Sequence, residues 1–143
     1  CKCLEEVGLA VDQSLIWEGV SRDFGDVTAV ELGRQGAHHL LSKTNPPTAI
    51  IAINDMYAFG VYAGARDLGG SISEDLSVVG VDNLTLTEVV EPPLTTVDQP
   101  LPDMARIAVE RLINRIAGKY SGPPEHQTMS PKLIVRASTA RCQ

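Results

Sequence analysis

The feature that most constrains this chain is a nearly continuous apolar run over residues 48–53 (TAIIAI). A short run rich in isoleucine is typical of a strand buried on both faces, as in a parallel sheet. Residues 76–81 (LSVVGV) and 94–98 (LTTVD) repeat the pattern further along, and residues 129–135 form a last extended segment. The chain is therefore expected to contain a largely buried sheet.

Helical spacing separates these runs. Residues 27–42, 55–68 and 102–116 each carry apolar side chains at helical intervals, and the last stripe is the clearest. The proline pair 46–47 and the glycine pair 69–70 end the first two helices. Strands that alternate with helices predict an α/β fold with a mainly parallel sheet flanked by helices.

Composition limits the function classes. The 143 residues fit one domain, and a net charge of -6 does not favour a nucleic-acid-binding surface. The three cysteines, at positions 1, 3 and 142, do not form a disulfide framework and are interpreted as free thiols. No apolar run has the length of a membrane span, and a cytoplasmic location is expected. Residues 2–9 resemble the last turns of a helix, which predicts that the natural protein extends upstream.

The sequence contains no recognisable catalytic set. Gly-rich phosphate loops and a nucleophile elbow are missing from it. His38 and His39 are adjacent, so on a helix they point about 100° apart and do not suit one metal ion. His126 stands alone in a loop. We expect no enzyme activity, cofactor or metal.

Two polar pairs follow strands at the positions where parallel sheets bind ligands. Asn54-Asp55 comes after the first buried strand and Asp82-Asn83 after the second. Asparagine offers a donor and an acceptor, and aspartate accepts from two hydroxyls, so the pairs suit a polyhydroxyl ligand. The residues alone leave open whether Asn54 and Asp82 bind a ligand or only tie loops. For Asp55, a structural role such as capping a helix is favoured.

Four motifs, in order, resemble the lac repressor (LacI/GalR) family of bacterial transcriptional regulators. They are PTAI with NDMYAFG at residues 47–60, EDLSVVGVDN at 74–83, PPLTTVDQP at 92–100 and LIVRAST at 133–139. From the first to the last, these motifs span about two-thirds of the chain, and their order and spacing resemble those of the family.

The resemblance implies a fold like that of the type I periplasmic sugar-binding proteins, in which two α/β subdomains enclose a ligand. Residues 1–98 would form the C-terminal effector-binding subdomain. Residues 99–128 would be a crossover and a helix that packs on the missing N-terminal subdomain, and residues 129–143 would return to the first unit. The chain would thus be truncated.

The resemblance also implies a function and a site. Family members sense a sugar, sugar phosphate or nucleobase, dimerise, and bind operator DNA through a domain that this chain lacks. Asn54 and Asp82 fall on the family's effector contacts, and Gln99 lies near the crossover. An aromatic side chain within residues 19–26 often stacks on the ligand, and Phe24 is the candidate, although this segment matches the family only loosely. An arginine that the family usually has lies before the first residue.

Two alternatives remain at this stage. A periplasmic sugar-binding protein of a transporter shares the fold, and a signal peptide upstream rather than a helix-turn-helix would identify it. A flavodoxin-like or sugar-metabolising enzyme is disfavoured because no catalytic set is present. For the helix at 103–116 we expect disorder, repacking, or burial against another copy, because the surface that would cover its apolar stripe is missing.

Overall fold

The part of the chain described by this computed structural model, residues 2–19 and 27–141, is organised around a four-stranded sheet. In chain order the strands are β1 (Ala49–Ile51), β2 (Ser77–Val81), β3 (Thr95–Asp98) and β4 (Lys132–Ile134). The sheet has the order β1-β2-β3-β4, with the first three strands parallel and β4 antiparallel to β3. The prediction of a mainly parallel sheet in an α/β fold is confirmed.

Four helices accompany the sheet in the described residues. They are α1 (Lys2–Glu6), α2 (Val27–Leu41), α3 (Asp55–Asp67) and α4 (Leu101–Ile116). Short 3-10 turns occur at Gln13–Leu15 and Thr85–Glu88. Gly8 and Gly69 both follow a helix in the left-handed conformation, with φ of 77° each, as expected for glycines that end helices. No helix among these residues combines the length and apolar character that crossing a bilayer requires.

The core lies between one face of the sheet and the helices α2 and α3. Its buried members come from both helices and from the first three strand regions: Ala37, Leu40, Ile50, Ala52, Ala58, Val61, Ala65, Leu76, Val78 and Leu94. The two helices approach closely because glycines line their contact. A Cβ placed on Gly60 would collide with the carbonyl oxygen of Val30, so this pair of helices depends on the missing side chain.

In the described residues, the opposite face of the sheet is exposed at the two outer strands and half-buried at the centre, which corrects one prediction. The run at 48–53 was expected to be buried on both faces, yet Ile51 is 80% exposed and Ile53 is 76% exposed. Strand β1 lies at the edge of the sheet, and its burial alternates in the pattern of a strand covered on one side. Leu133 and Val135 are also exposed. The isoleucine-rich run therefore indicates that this face is apolar, but no other described residue covers it at β1.

Helix α4 stands apart from the core. It is formed over its full length, and none of its residues is buried. The expectations that this helix is disordered or repacked on the rest of the chain are therefore wrong. Its stripe remains apolar and exposed, with Leu112, Ile113 and Ile116 each more than half accessible. Burial of this stripe against another copy or another subdomain stays a prediction.

The C-terminal segment is bonded to the central strands β2 and β3 through Ser138. This side chain is fully buried; its hydroxyl donates to the carbonyl oxygen of Val78 at 2.6 Å and accepts from the backbone amide of Thr95 at 2.8 Å. The amide of Val78 in turn donates to the carbonyl oxygen of Ser138. Residues far apart in the sequence thus supply the bonds that join β2 and β3 to the last segment.

Candidate functional site

The three parallel strands end on the same side of the sheet, called here its carboxyl edge, and the predicted polar residues follow these strand ends. Asn54 follows β1, Asp82 directly follows β2 and Gln99 directly follows β3. Because β1 pairs with β2 and β2 pairs with β3, all three residues follow neighbouring strands at the same edge. This is the edge at which open α/β sheets bind ligands.

Asp82 and Gln99 are in direct contact. The side-chain amide of Gln99 donates to the Asp82 carboxylate at 2.8 Å, and both residues are partly buried. The second carboxylate oxygen of Asp82 and the amide oxygen of Gln99 can still engage hydroxyl groups. The pair therefore presents two acceptors next to each other, which suits a ligand with several hydroxyls.

Asn54 has a structural role that does not use its whole side chain. It is the N-cap of α3, and its side-chain oxygen accepts from the amide of Tyr57 at 3.1 Å. Such a cap satisfies one of the free donors of the first helical turn. The amide nitrogen of Asn54 is the group that can donate to a ligand. Both of the roles weighed from the sequence are thus compatible with its position.

Asp55 is not the helix cap that its position suggested. It is fully buried, and its two oxygens accept from the hydroxyl of Thr96 at 2.6 Å and from the amide of Leu84 at 2.8 Å. The capping role belongs to Asn54 because the backbone of that residue is extended and places its side chain over the first turn. Asp55 instead ties the segment after β2 to the sheet.

The environment of Asp55 shifts its acidity. Burial raises the pKa of this carboxyl above its ordinary value, since the charged form loses its hydration. The hydrogen bonds from Thr96 and Leu84 act in the opposite direction, because donors favour the carboxylate. The negative charge of Asp82 adds to the upward shift, and the positive charge of Arg136 opposes it. The pKa of Asp55 is raised because the loss of hydration outweighs the donors.

Arg136 is a residue of this region that the sequence interpretation missed. Its guanidinium donates to the side-chain oxygen of Asn83 and to the carbonyl oxygen of Leu94, both at 2.9 Å, and to Glu88 at 3.2 Å. The side chain is only 14% exposed. An arginine within the apolar LIVRAST motif was the available signal in the sequence, but its partners lie about 40–50 positions away.

Two other predictions concern positions away from this edge. Phe24, the aromatic candidate for stacking on a ligand, lies outside the described residues. His38 contacts Asp67 at 3.0 Å, whereas the ring of His39 packs against that of Trp17, with centroids 5.1 Å apart and the ring planes tilted by 36°. The two histidines thus face different neighbours.

A cavity of about 710 Å³ opens beside the same edge, between the end of β3, helix α4 and the segment 125–131. Gln99 contributes to its wall, together with Met104, Arg111 and His126, whereas Asn54 and Asp82 do not line it. Helix α4 forms one wall of it. Among the predicted ligand contacts in the described residues, Gln99 alone therefore lines this cavity.

Comparison with known proteins identifies close relatives. Residues 2–139 match the family described as "Periplasmic binding protein-like domain". The chain is 35% identical over 138 residues to the HTH-type transcriptional repressor CytR of Escherichia coli K12, and the match covers 96% of this chain and 38% of the repressor. The chain thus spans well under half the length of this curated relative.

Solved structures give the same result. A complex of the transcriptional regulator CelR with cellobiose superposes with a TM-score of 0.83 at 30% identity, covering 96% of this chain and 39% of that one. A LacI family transcriptional regulator from Enterococcus faecium with bound ribose has a TM-score of 0.69 at 33% identity, over 78% of this chain and 40% of that one. These similarities favour a regulator over a transport protein of the same fold.

Proposed function

This chain belongs to the periplasmic binding protein-like domain family, within its LacI/GalR group of transcriptional regulators, and on that premise we propose that it senses a small-molecule effector for a DNA-binding regulator. The effector is a sugar, sugar phosphate or nucleobase. It controls operator binding by a domain outside this chain. The protein works in the cytoplasm as a homodimer, without a cofactor and without enzyme activity.

One observation carries the proposal: Asp82 and Gln99 meet at the carboxyl edge of the sheet, beside the strand that leads to Asn54. This arrangement offers carboxylate and amide groups to a polyhydroxyl ligand. Two regulators of the same fold carry a sugar, cellobiose in one and ribose in the other. We therefore favour a sugar among the three effector classes. Phe24 is proposed as an aromatic surface for the same ligand.

The division of the chain follows from the same proposal. Residues 1–98 and 129–143 form the effector-binding subdomain, and residues 99–128 carry α4 across to a second subdomain. The exposed stripe of α4 supports this, since an apolar helix face without a neighbour in the described residues suits a larger packing partner. The effector binds between the two subdomains. By linkage it changes operator affinity only if it binds the two states of the regulator unequally.

Thermal unfolding and titration calorimetry of the full-length natural protein test the proposal. The panel contains ribose, cellobiose, other sugars, sugar phosphates and nucleobases, and a ligand specific for the native state raises the melting temperature. Asp82→Ala and Asn54→Ala should each weaken binding of the hit by about tenfold or more, since a lost bond to a charged or buried group has this magnitude.

Asp75→Ala is the matched control. Its exposed carboxylate accepts from the amide of Ser71 in the loop that precedes β2, at the opposite edge of the sheet. Binding should be unchanged in this variant. Retention of full affinity by Asp82→Ala and Asn54→Ala would contradict the proposed site. A panel without a hit, with operator binding intact, would contradict the proposed effector class.

A further inference from the structure

The turn after β2, residues 82–84, has an unusual backbone. Asp82 has φ of 107° and Asn83 has φ of 55°, so two consecutive residues with side chains adopt left-handed conformations. Such conformations persist where the surroundings hold them, and they often occur at ligand sites. The direction of the Asp82 side chain depends on this backbone.

The turn is held from the side of helix α3. Asp55, fully buried, accepts from the amide of Leu84 while it also accepts from the hydroxyl of Thr96. The same threonine oxygen lies 3.4 Å from the amide of Asn83, at the long end of hydrogen bonding. The side chains of Asp55 and Thr96, which bond each other, therefore hold the backbone on one side of the turn.

Arg136 holds the turn from the other side. Its guanidinium bonds the Asn83 side chain, and it is anchored by the carbonyl oxygen of Leu94 beside β3. The third partner, Glu88, is 67% exposed and contributes little, because water screens such pairs. The planar, multi-donor guanidinium suits this double contact in a way that an ammonium group does not.

We propose that Arg136 is a positioning residue for the effector site, which acts through Asn83 to hold the 82–84 turn so that Asp82 meets Gln99. The inference rests on the proposed function, since it assumes that Asp82 and Gln99 bind the effector. Arg136 bonds Asn83, Leu94 and Glu88, and it therefore influences the ligand through the turn. It also makes the C-terminal segment a part of the effector site.

Hydrogen exchange of the full-length protein without ligand tests the contact itself. Arg136→Gln should speed exchange of the Asn83 and Leu84 amides by about tenfold or more, because local opening exposes them. Asn83→Gly is the second variant. It removes the acceptor but keeps a left-handed backbone accessible, so it should preserve the fold and speed exchange at Leu84. Arg136→Lys should fall between the parent and Arg136→Gln.

Arg34→Gln is the matched control. Arg34 also bonds a carboxylate, that of Asp67, but on the α2–α3 surface. This substitution should leave exchange at the turn within about twofold of the parent, as expected for a surface change away from the turn.

Binding of ribose and cellobiose by the same variants gives the second measurement. Affinity for whichever sugar the parent binds should fall about tenfold in Arg136→Gln and Asn83→Gly, and Arg136→Lys should restore part of it. Faster exchange at the turn with unchanged affinity would overturn the positioning role. Uniformly faster exchange over the whole sheet, with a lower melting temperature and unchanged affinity, would also overturn it, because this is the result for a merely structural residue.

The two measurements separate the inference from the proposed function. Unchanged exchange at residues 83 and 84 in Arg136→Gln overturns the positioning role whatever the ligand. If neither sugar binds the parent, the sugar assignment fails, and the exchange result alone decides whether Arg136 holds the turn.

Discussion

Helices α3 and α4 have similar lengths but opposite surroundings. Helix α3, with 13 residues, buries six of them, most of which are small: Asp55, Ala58, Gly60, Val61, Gly64 and Ala65. Helix α4, with 16 residues, buries none, although its apolar side chains are larger. The small residues of α3 fit against a neighbour within the described chain, whereas the large apolar residues of α4 have no such neighbour among the described residues. An amphipathic pattern thus identifies the buried face of a helix but not what covers it.

Truncation of one leucine from each region gives the largest expected contrast. Leu94→Ala should lower the free energy of unfolding of the 143-residue chain by about 4 kcal/mol, because Leu94 is fully buried and truncation of its side chain leaves a cavity. Leu112→Ala on α4 should change it by less than about 0.5 kcal/mol, since Leu112 is 58% exposed. Urea unfolding measures both. Equal losses would show that α4 packs within the chain.

The glycine contact between α2 and α3 gives the next effect. Gly60→Ala should cost about 3 kcal/mol, because the added methyl group would meet the backbone of α2 and force the helices apart. Gly70→Ala is the control, since a Cβ there would lie 3.4 Å from the nearest atom, an ordinary contact. Thermal unfolding compares the two variants. A Gly60→Ala protein as stable as the parent would contradict the tight packing assigned to this region.

The buried bond between Thr96 and Asp55 should have a smaller effect. Thr96→Val removes the hydroxyl donor and leaves a buried carboxylate oxygen without its partner, at a cost of about 2 kcal/mol. Thr128→Val, in the exposed segment that follows α4, should be close to neutral. Chemical unfolding at neutral pH tests the pair. Similar values for both would show that the bond between Thr96 and Asp55 does not stabilise the folded chain.

The pH dependence associated with Asp55 is the smallest expected effect. Its pKa in the folded chain is raised above the ordinary value of 3.8, so the folded state binds this proton more tightly than the unfolded state. The resulting stabilisation is complete below the ordinary pKa and is lost as the pH rises through the raised one. The melting temperature of the parent, relative to that of Asp55→Asn, should therefore decrease as the pH rises above about 4. A constant or increasing difference would contradict the raised pKa.

Local patterns predicted the elements of the fold. Residues 48–53, 76–81 and 94–98 each contain a strand, and the stripe at 102–116 is a helix, because period and apolar content are properties of nearby residues. The exposure of Ile51 and Ile53 was not predictable in this way. Composition indicates that one face of a strand is apolar, whereas the burial of that face depends on residues distant in the sequence.

The site residues also divide into those that local patterns predicted and those that they did not. Asn54, Asp82 and Gln99 were identified because they follow strands and match a family motif, and the structure brings Asp82 and Gln99 into contact. A structural role for Asp55 was favoured, but its partners, and the role of Arg136, were not predicted because the bonded residues are distant in the sequence. Thr96 is 41 positions from Asp55, and Asn83 is 53 positions from Arg136. Periodicity and spacing carry no information on such pairs.

The bonds of Ser138 have a consequence for the growing polypeptide. This serine joins Thr95, 43 positions earlier, and Val78, 60 positions earlier. During translation at about 5–20 residues per second, the strands at 77–81 and 95–98 would leave the ribosome several seconds before the serine that completes their hydrogen bonding. Until the serine emerges, the backbone groups of Val78 and Thr95 that bond it in the folded chain would lack their final partners.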